Sequence, residues 1–259
     1  MRFPSPLIHG TLIRRYKRFL ADIRLDCGEV VIAHCANPGS MLGLQAQGSQ
    51  VWLSANTNPK AKLDWRWQLI RVEGHLVGIN TGHPNEIAAE AIAAGQIPEL
   101  TGYARQRREV PYGQNSRIDI LLEGEDCAPC YLEIKCVNLR RPGGPHPNAA
   151  EFPDAVTKRG AKHLVELAAM AAAGCRAMML YLVLRGDCDH FRVAADIDPA
   201  YAEALANARA HGVEAICYDC QVTRDAIVLG TKLPVVLGAK LPVVVGSKLP
   251  MFGPKESQI

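Results

Sequence analysis

Asp119, Glu133 and Lys135 are the residues whose types and spacing best fit a reaction. Glu133 and Lys135 lie two apart in the run YLEIKCV, and in an extended strand residues i and i+2 point to one face. Asp119 stands in SRIDILL, the preceding strand of an expected hairpin, which places its carboxylate beside Glu133. Two carboxylates without a thiolate or imidazole cluster make a hard oxygen site suited to Mg²⁺ or Mn²⁺. Such an ion polarises a phosphodiester and generates hydroxide from bound water, with Lys135 orienting that water or neutralising the developing charge. The competing reading is a solvated Glu/Lys pair on an exposed strand, of little energetic value. Position argues against it, because the pair interrupts an apolar run that otherwise reads as buried, where unpaired charges are costly.

Other residues fall into weaker sets. Glu86 and Glu90 lie four apart on one face of an expected helix, so either could add a third carboxylate or simply be solvated. Arg159, Lys162, His163 and Glu166 form a polar helical stripe that would hold a phosphate beside a metal, and taken alone it reads as a solvent face. Arg14, Arg15, Lys17 and Arg18, with Lys60, Lys62, Arg66 and Arg71, make the basic footprint expected for salt-dependent phosphate contacts. The first cluster fits a strand or a short helix. Trp65 and Trp67 share a strand face, placed either to stack on bases or to pack a core. Cys127-x-x-Cys130 and Cys217-x-x-Cys220 supply the thiol count of a zinc-stabilised module. Their separation far exceeds the usual spacing of about 15–20 residues, however, and Cys217 and Cys220 would face opposite sides of a strand.

The elements that must position these residues divide the chain. Residues 1–82 carry short apolar runs between turn signals such as Asn37-Pro38-Gly39 and Asn58-Pro59, the pattern of a small β-barrel or sandwich. After Gly82 the pattern alternates between helix and strand, so the fold class is α/β in two parts. Asn85 is expected to cap a helix over Glu86–Ala94, and SRIDILL and CYLEIKCV to form strands on either side of the Gly124–Pro129 turn. A Pro/Gly loop over Arg140–Asn148 precedes a helix over Thr157–Ala173 and a buried central strand over Ala177–Leu184. Asp198-Pro199 opens a helix to Ala210, followed by a strand over Val213–Tyr218. The domain assignment is 1–82, 83–237 and a repetitive tail, 238–259. The near-copies TKLPVVLG, AKLPVVVG and SKLPMFGP place one copy at the end of the sheet and the others in that tail.

Composition sets the frame. The chain has 259 residues with 48% hydrophobic and 21% charged residues and a net charge of +3, which argues against disordered, collagen-like and supercharged classes. The charge is uneven: residues 1–82 are net basic and the remainder net acidic. No secretory signal or membrane span is legible, and nine cysteines in a chain able to build its own core point to reduced thiols in the cytoplasm.

The ordered motifs LIRRYKRFLADI, AHCANPGSM, YGQNSRIDILL, YLEIKCVNL and FPDAVTKRGAKHL resemble those of the sugar fermentation stimulation protein A family, from about Pro4 to Leu237. The resemblance implies an OB-like β-barrel followed by a PD-(D/E)xK nuclease-like α/β domain. It also implies a DNA-binding protein with a regulatory role in sugar, notably maltose, metabolism. Residue by residue, it implies a nuclease-like core of Glu90, Asp119, Glu133 and Lys135, flanked by Thr157, Arg159, Lys162 and His163. The chain departs from the family pattern at Ala36 and Pro38, where Pro and Thr are usual, at Cys136, where Ser is common, and in a longer loop over Arg140–Ala150. The functional expectation is DNA binding, sequence-nonspecific and without a membrane partner, with Mg²⁺- or Mn²⁺-dependent DNA cleavage as the alternative.

Overall fold

Strand β1 (Ile8–Tyr16) turns into β2 (Leu20–Leu25) through Lys17 and Arg18, whose φ values of 45° and 68° are both left-handed. The loop is three residues long, Lys17–Phe19 between the paired Tyr16 and Leu20, and left-handed positions of this kind usually recruit Asn or Gly. The basic cluster that fitted strand or helix is therefore a hairpin tip. The computed structural model describes residues 1–237, so the expected tail, 238–259, lies outside the described residues.

The barrel continues with β3 (Val30–His34), β4 (Gln50–Ala55), β5 (Trp65–Val72) and β6 (His75–Gly78). Strand order is β3-β2-β1-β4-β5-β6, and parallel pairing of Ala33 with Trp65 and His34 with Arg66 joins β3 to β5 and closes the barrel. Inward residues Leu12, Ile23, Ala33, Leu53, Trp67 and Ile70 fill it. Trp67 is fully buried and its Nε1 donates to the Leu69 carbonyl at 2.9 Å, while Trp65 packs against the same core, so these rings serve packing and not a base-stacking platform.

The second part opens with α1 (His83–Ala93). It then runs β7 (Arg105–Tyr112), β8 (Ser116–Glu123), β9 (Cys130–Val137), β10 (Ala149–Phe152) and α2 (Lys158–Ala172). There follow β11 (Arg176–Val183), β12 (His190–Val193), α3 (Pro199–Ala210), β13 (Glu214–Val222), β14 (Ile227–Leu233) and β15 (Val235–Val236). The main sheet has the order β14-β13-β11-β9-β8-β7, with β9, β11 and β13 parallel to one another. Strand β11 is central and buried on both faces, as its continuous apolar run predicts. Ile87, Ala88 and Ala91 of α1 cover one face, while Leu164 and Leu167 of α2 with Tyr201 and Leu205 of α3 cover the other. A small parallel sheet, β10-β12-β15, flanks it, and the first repeat copy supplies the end of β14 and all of β15.

One expectation is corrected, and one strand is new. Helix α1 starts at His83 after Gly82, with Pro84 in its first turn, so Asn85 is not a cap but an interior residue whose side chain is free to reach elsewhere. Strand β7, RQRREVPY, is an exposed edge, so it has no apolar alternation to mark it in the sequence. Among the described residues no helix is long and apolar enough to cross a membrane.

The two parts share packing and hydrogen bonds. Trp52 and Leu69 of the barrel belong to the cluster under α1. The Gly78 amide donates to Leu184 O at 2.8 Å, and Asn138 Nδ2 donates to Gly78 O at 2.7 Å. Ser40 Oγ donates to Asp154 O at 2.6 Å and the Met41 amide to Asp154 Oδ2 at 2.9 Å.

Candidate metal centre

Strands β8 and β9 pair only as far as Ile120 opposite Leu132. One residue on, Asp119 takes over from the ladder: its Oδ2 accepts the Ile134 amide at 2.7 Å, and its Oδ1 accepts Asn85 Nδ2 of α1 at 2.8 Å. Burial, and then the negative charge of Glu133, push the Asp119 carboxyl up to about 6. Glu133, only 2% exposed, projects from β9 on the same face as Lys135, whose Nζ donates to Glu133 Oε1 at 2.6 Å. His163 of α2 bonds the same Oε1 through Nδ1. Arg159 Nε donates to His163 Nε2 at 3.2 Å, which leaves the imidazole proton on Nδ1 to be donated to Glu133. Burial pushes Glu133 up, but the His163 hydrogen bond and the Lys135 charge outweigh it and hold the carboxyl below its ordinary range.

Glu133 Oε2 is shielded from solvent and has no protein partner. A buried carboxylate oxygen in that position, beside a second carboxylate, fits a hard divalent cation. Among the described residues no group of three or more His, Cys, Asp and Glu side chains converges as a ligand set, so Asp119 and Glu133 would be its acidic ligands and other oxygens would complete it. The Tyr112 hydroxyl and Glu166 Oε2 are also buried without partners, and burial with the charges of Glu133, Glu166 and Asp119 raises the Tyr112 phenol.

His163 also lines a cleft of about 320 Å³ whose wall includes Ser116, Arg117, Arg159 and Lys162. Lys162 Nζ donates to Gln114 O at 2.7 Å and lies 3.5 Å from Glu166, and Arg117 donates to Glu109 O at 2.9 Å. The helical stripe is therefore no plain solvent face. Arg159 and His163 reach back toward the carboxylates while the exposed cations border the opening.

Other predicted residues go elsewhere. Glu90 does not join Asp119 and Glu133: it is 56% exposed and binds the Met1 ammonium. Thr157 is the N-cap of α2, its Oγ1 accepting the Gly160 amide at 3.1 Å, and so does structural work in place of walling the site. Arg14 pairs with Asp22 at 2.7 Å. Arg15 donates to the carbonyls of Asn37 and Gly39 at 3.0 Å each, and Arg18 to Pro38 O at 2.8 Å. These three guanidiniums shape the barrel's surface, and Lys17, Lys60 and Lys62 stand exposed on turns. All nine cysteines are free; Cys127 is exposed, and Cys217 lies on the opposite sheet face from Cys130 and Cys220, so the thiols form no zinc site. Asn85 and Arg117 join the site without having been expected there. Arg117, adjacent to Asp119 in the same motif, was the better signalled of the two.

An OB barrel followed by an α/β domain whose sheet carries Asp119 and the Glu133-x-Lys135 strand defines a two-part, OB-fused α/β protein. Residues 13–79 match the SfsA N-terminal OB domain, and residues 82–226 match the sugar fermentation stimulation protein RE domain. The chain belongs to the sugar fermentation stimulation protein family. It is 58% identical over 233 residues to the homolog from Paramagnetospirillum magneticum, covering 90% of this chain and 97% of that one. It is 60% identical over 227 residues to the homolog from Rhodospirillum centenum, covering 88% and 96%. The structure of Pyrococcus furiosus SfsA in complex with Ca²⁺ is similar with a TM-score of 0.81 at 25% identity, covering 91% of this chain and 98% of that one.

Proposed function

We propose that this protein binds DNA and holds Mg²⁺ or Mn²⁺ between Asp119 and Glu133, against the phosphodiester backbone. The observation that carries the reading is the unpartnered Glu133 Oε2 beside a second carboxylate, one hydrogen bond behind a cleft bordered by Arg117, Arg159 and Lys162. The Pyrococcus furiosus structure in complex with Ca²⁺, another hard cation that takes oxygen ligands, supports it. When bound, the cation neutralises the carboxylates, polarises a phosphate oxygen and acidifies water. The chain's own residues do the positioning. Lys135 and His163 anchor Glu133 through Oε1 and leave Oε2 available, while Asn85 and the Ile134 amide orient Asp119. The exposed cations of the cleft, with Lys17, Lys60 and Lys62 of the barrel, attract the backbone without reading bases, so binding is sequence-nonspecific and weakens with salt.

DNA cleavage is the second reading, favoured by Lys135 Nζ beside the carboxylates, where it can orient water or meet developing charge. A panel of single strands, duplexes, forks and junctions with Mg²⁺ or Mn²⁺ tests both. Salt-dependent binding supports the first reading, and salt-insensitive binding would sink it. Metal-dependent nicking that Glu133→Gln abolishes while binding persists establishes the second; no cleavage on any substrate leaves a binding protein. A role in sugar, notably maltose, metabolism and a cytoplasmic setting accompany the proposal through the family. Unchanged maltose-gene transcripts in a deletion strain would remove that role.

A further inference from the structure

A second cavity, of about 370 Å³, lies between β4 and β5 of the barrel, the first residues of the chain and the first turn of α1. Asn85 of that turn reaches Asp119, whereas His83 and Glu86 line this cavity. One wall is a hydrogen-bond chain. Gln68 Nε2 donates to Ser54 Oγ at 2.8 Å, and Asn80 Nδ2 donates both to Gln68 Oε1 and to His83 Nε2 at 3.0 Å. Asn80 Oδ1 accepts the Gly82 amide at 3.0 Å, which fixes the orientation of the Asn80 amide. His83 Nε2 is therefore an acceptor and the ring proton sits on Nδ1.

That Nδ1–H has no partner, and neither has the Nε–H of Arg66; both atoms are shielded from solvent. Burial, together with the charges of the amino terminus and Arg66, lowers His83 to about 4, so the imidazole is a neutral donor at neutral pH. The lining thus presents the cations Arg66 and Arg2 against a single carboxylate, Glu86. Two guanidiniums facing one carboxylate across a polar cavity favour an anion with several acceptor oxygens. The volume, near the lower end of the roughly 300–1,000 Å³ usual for small-ligand pockets, suits one nucleotide and excludes a duplex.

We infer that this cavity binds the phosphate of a single nucleotide, with the Arg66 and Arg2 guanidiniums as its cationic partners and the Asn56–Asn58 rim meeting the nucleoside. The anion site stands on its own geometry; that a DNA strand delivers the phosphate rests on the DNA-binding reading. Placed across α1 from Asp119, it would seat a phosphorylated strand end beside the metal centre.

The test uses the full chain in a chelator, so that the metal centre contributes nothing. Calorimetry compares deoxyadenosine monophosphate with deoxyadenosine, with inorganic phosphate as competitor, and fluorescence anisotropy compares one single strand carrying a 5′-phosphate or a 5′-hydroxyl. The monophosphate is expected to bind about tenfold more tightly than the nucleoside, and the phosphorylated strand to be preferred by a similar factor. Arg66→Gln and, separately, Arg2→Gln should shrink both ratios, with unchanged thermal midpoints showing that the variants fold. Equal binding of nucleotide and nucleoside, or ratios untouched by both substitutions, overturns the inference. Nucleotide binding without any DNA binding supports the cavity and rejects the DNA reading, whereas a nucleotide preference without an end preference assigns the site to free nucleotides.

Discussion

Glu133 is held by one oxygen and free at the other, and that asymmetry separates the roles of its neighbours. Glu133→Gln keeps the side-chain shape but removes the charge, so Mn²⁺ affinity by calorimetry should fall at least about tenfold; unchanged affinity would mean that the cation does not use this oxygen. His83 makes a second prediction through pH. Its folded value, about 4, lies below the ordinary 6.5, so the unfolded chain binds more protons between those values. The stabilisation is complete above about pH 6.5 and is lost as pH falls toward 4, by at most about 3 kcal/mol. Urea unfolding across pH 4.5–7.5 should show a shallower acid loss for His83→Gln than for the parent chain, and parallel curves would reject the assignment.

Elements carry their own local chemistry. Asp198 is 2% exposed and caps α3 by accepting the Tyr201 amide at 3.0 Å, and it also accepts the Thr157 amide at the start of α2 at 2.7 Å. Asp198→Ala strips acceptors from both helix starts and should cost about 2–3 kcal/mol in urea unfolding, whereas loss of an ordinary cap costs about 1. This cap is legible from residue types, since Asp198-Pro199 marks α3 where it stands, whereas Asn85 has the type of a cap and lies inside α1. The β1–β2 turn is not legible, because Lys17 and Arg18 lack the Asn or Gly that usually signals left-handed φ. Strand β7 was hidden for a related reason: an exposed edge needs no apolar face.

At the scale of the molecule, the barrel and the α/β domain are joined by loop Asn37–Met41, held by Arg15 from one side and Asp154 from the other. A Cβ at Gly39 would collide with the Asp154 carboxylate, so glycine permits the approach. Asp154→Ala should destabilise the chain by about 1–3 kcal/mol and make barrel amides exchange faster than those of the main sheet; uniform protection would argue against the clamp. The uneven charge that separates residues 1–82 from the rest thus spans a junction that is packed, not a flexible linker. The sequence by itself determined the two-part division, the central strand, the helix that Asp198-Pro199 opens and the shared face of Glu133 and Lys135, because strand period and local capping act over a few residues. Only the tertiary structure decided that Asn85, and not Glu90, meets Asp119, that His163 closes on Glu133, and that the Arg15 and Arg18 guanidiniums bind carbonyls. Those outcomes depend on how a helix is rotated against a sheet and where a loop lies against its neighbour, which only the packing of distant segments sets.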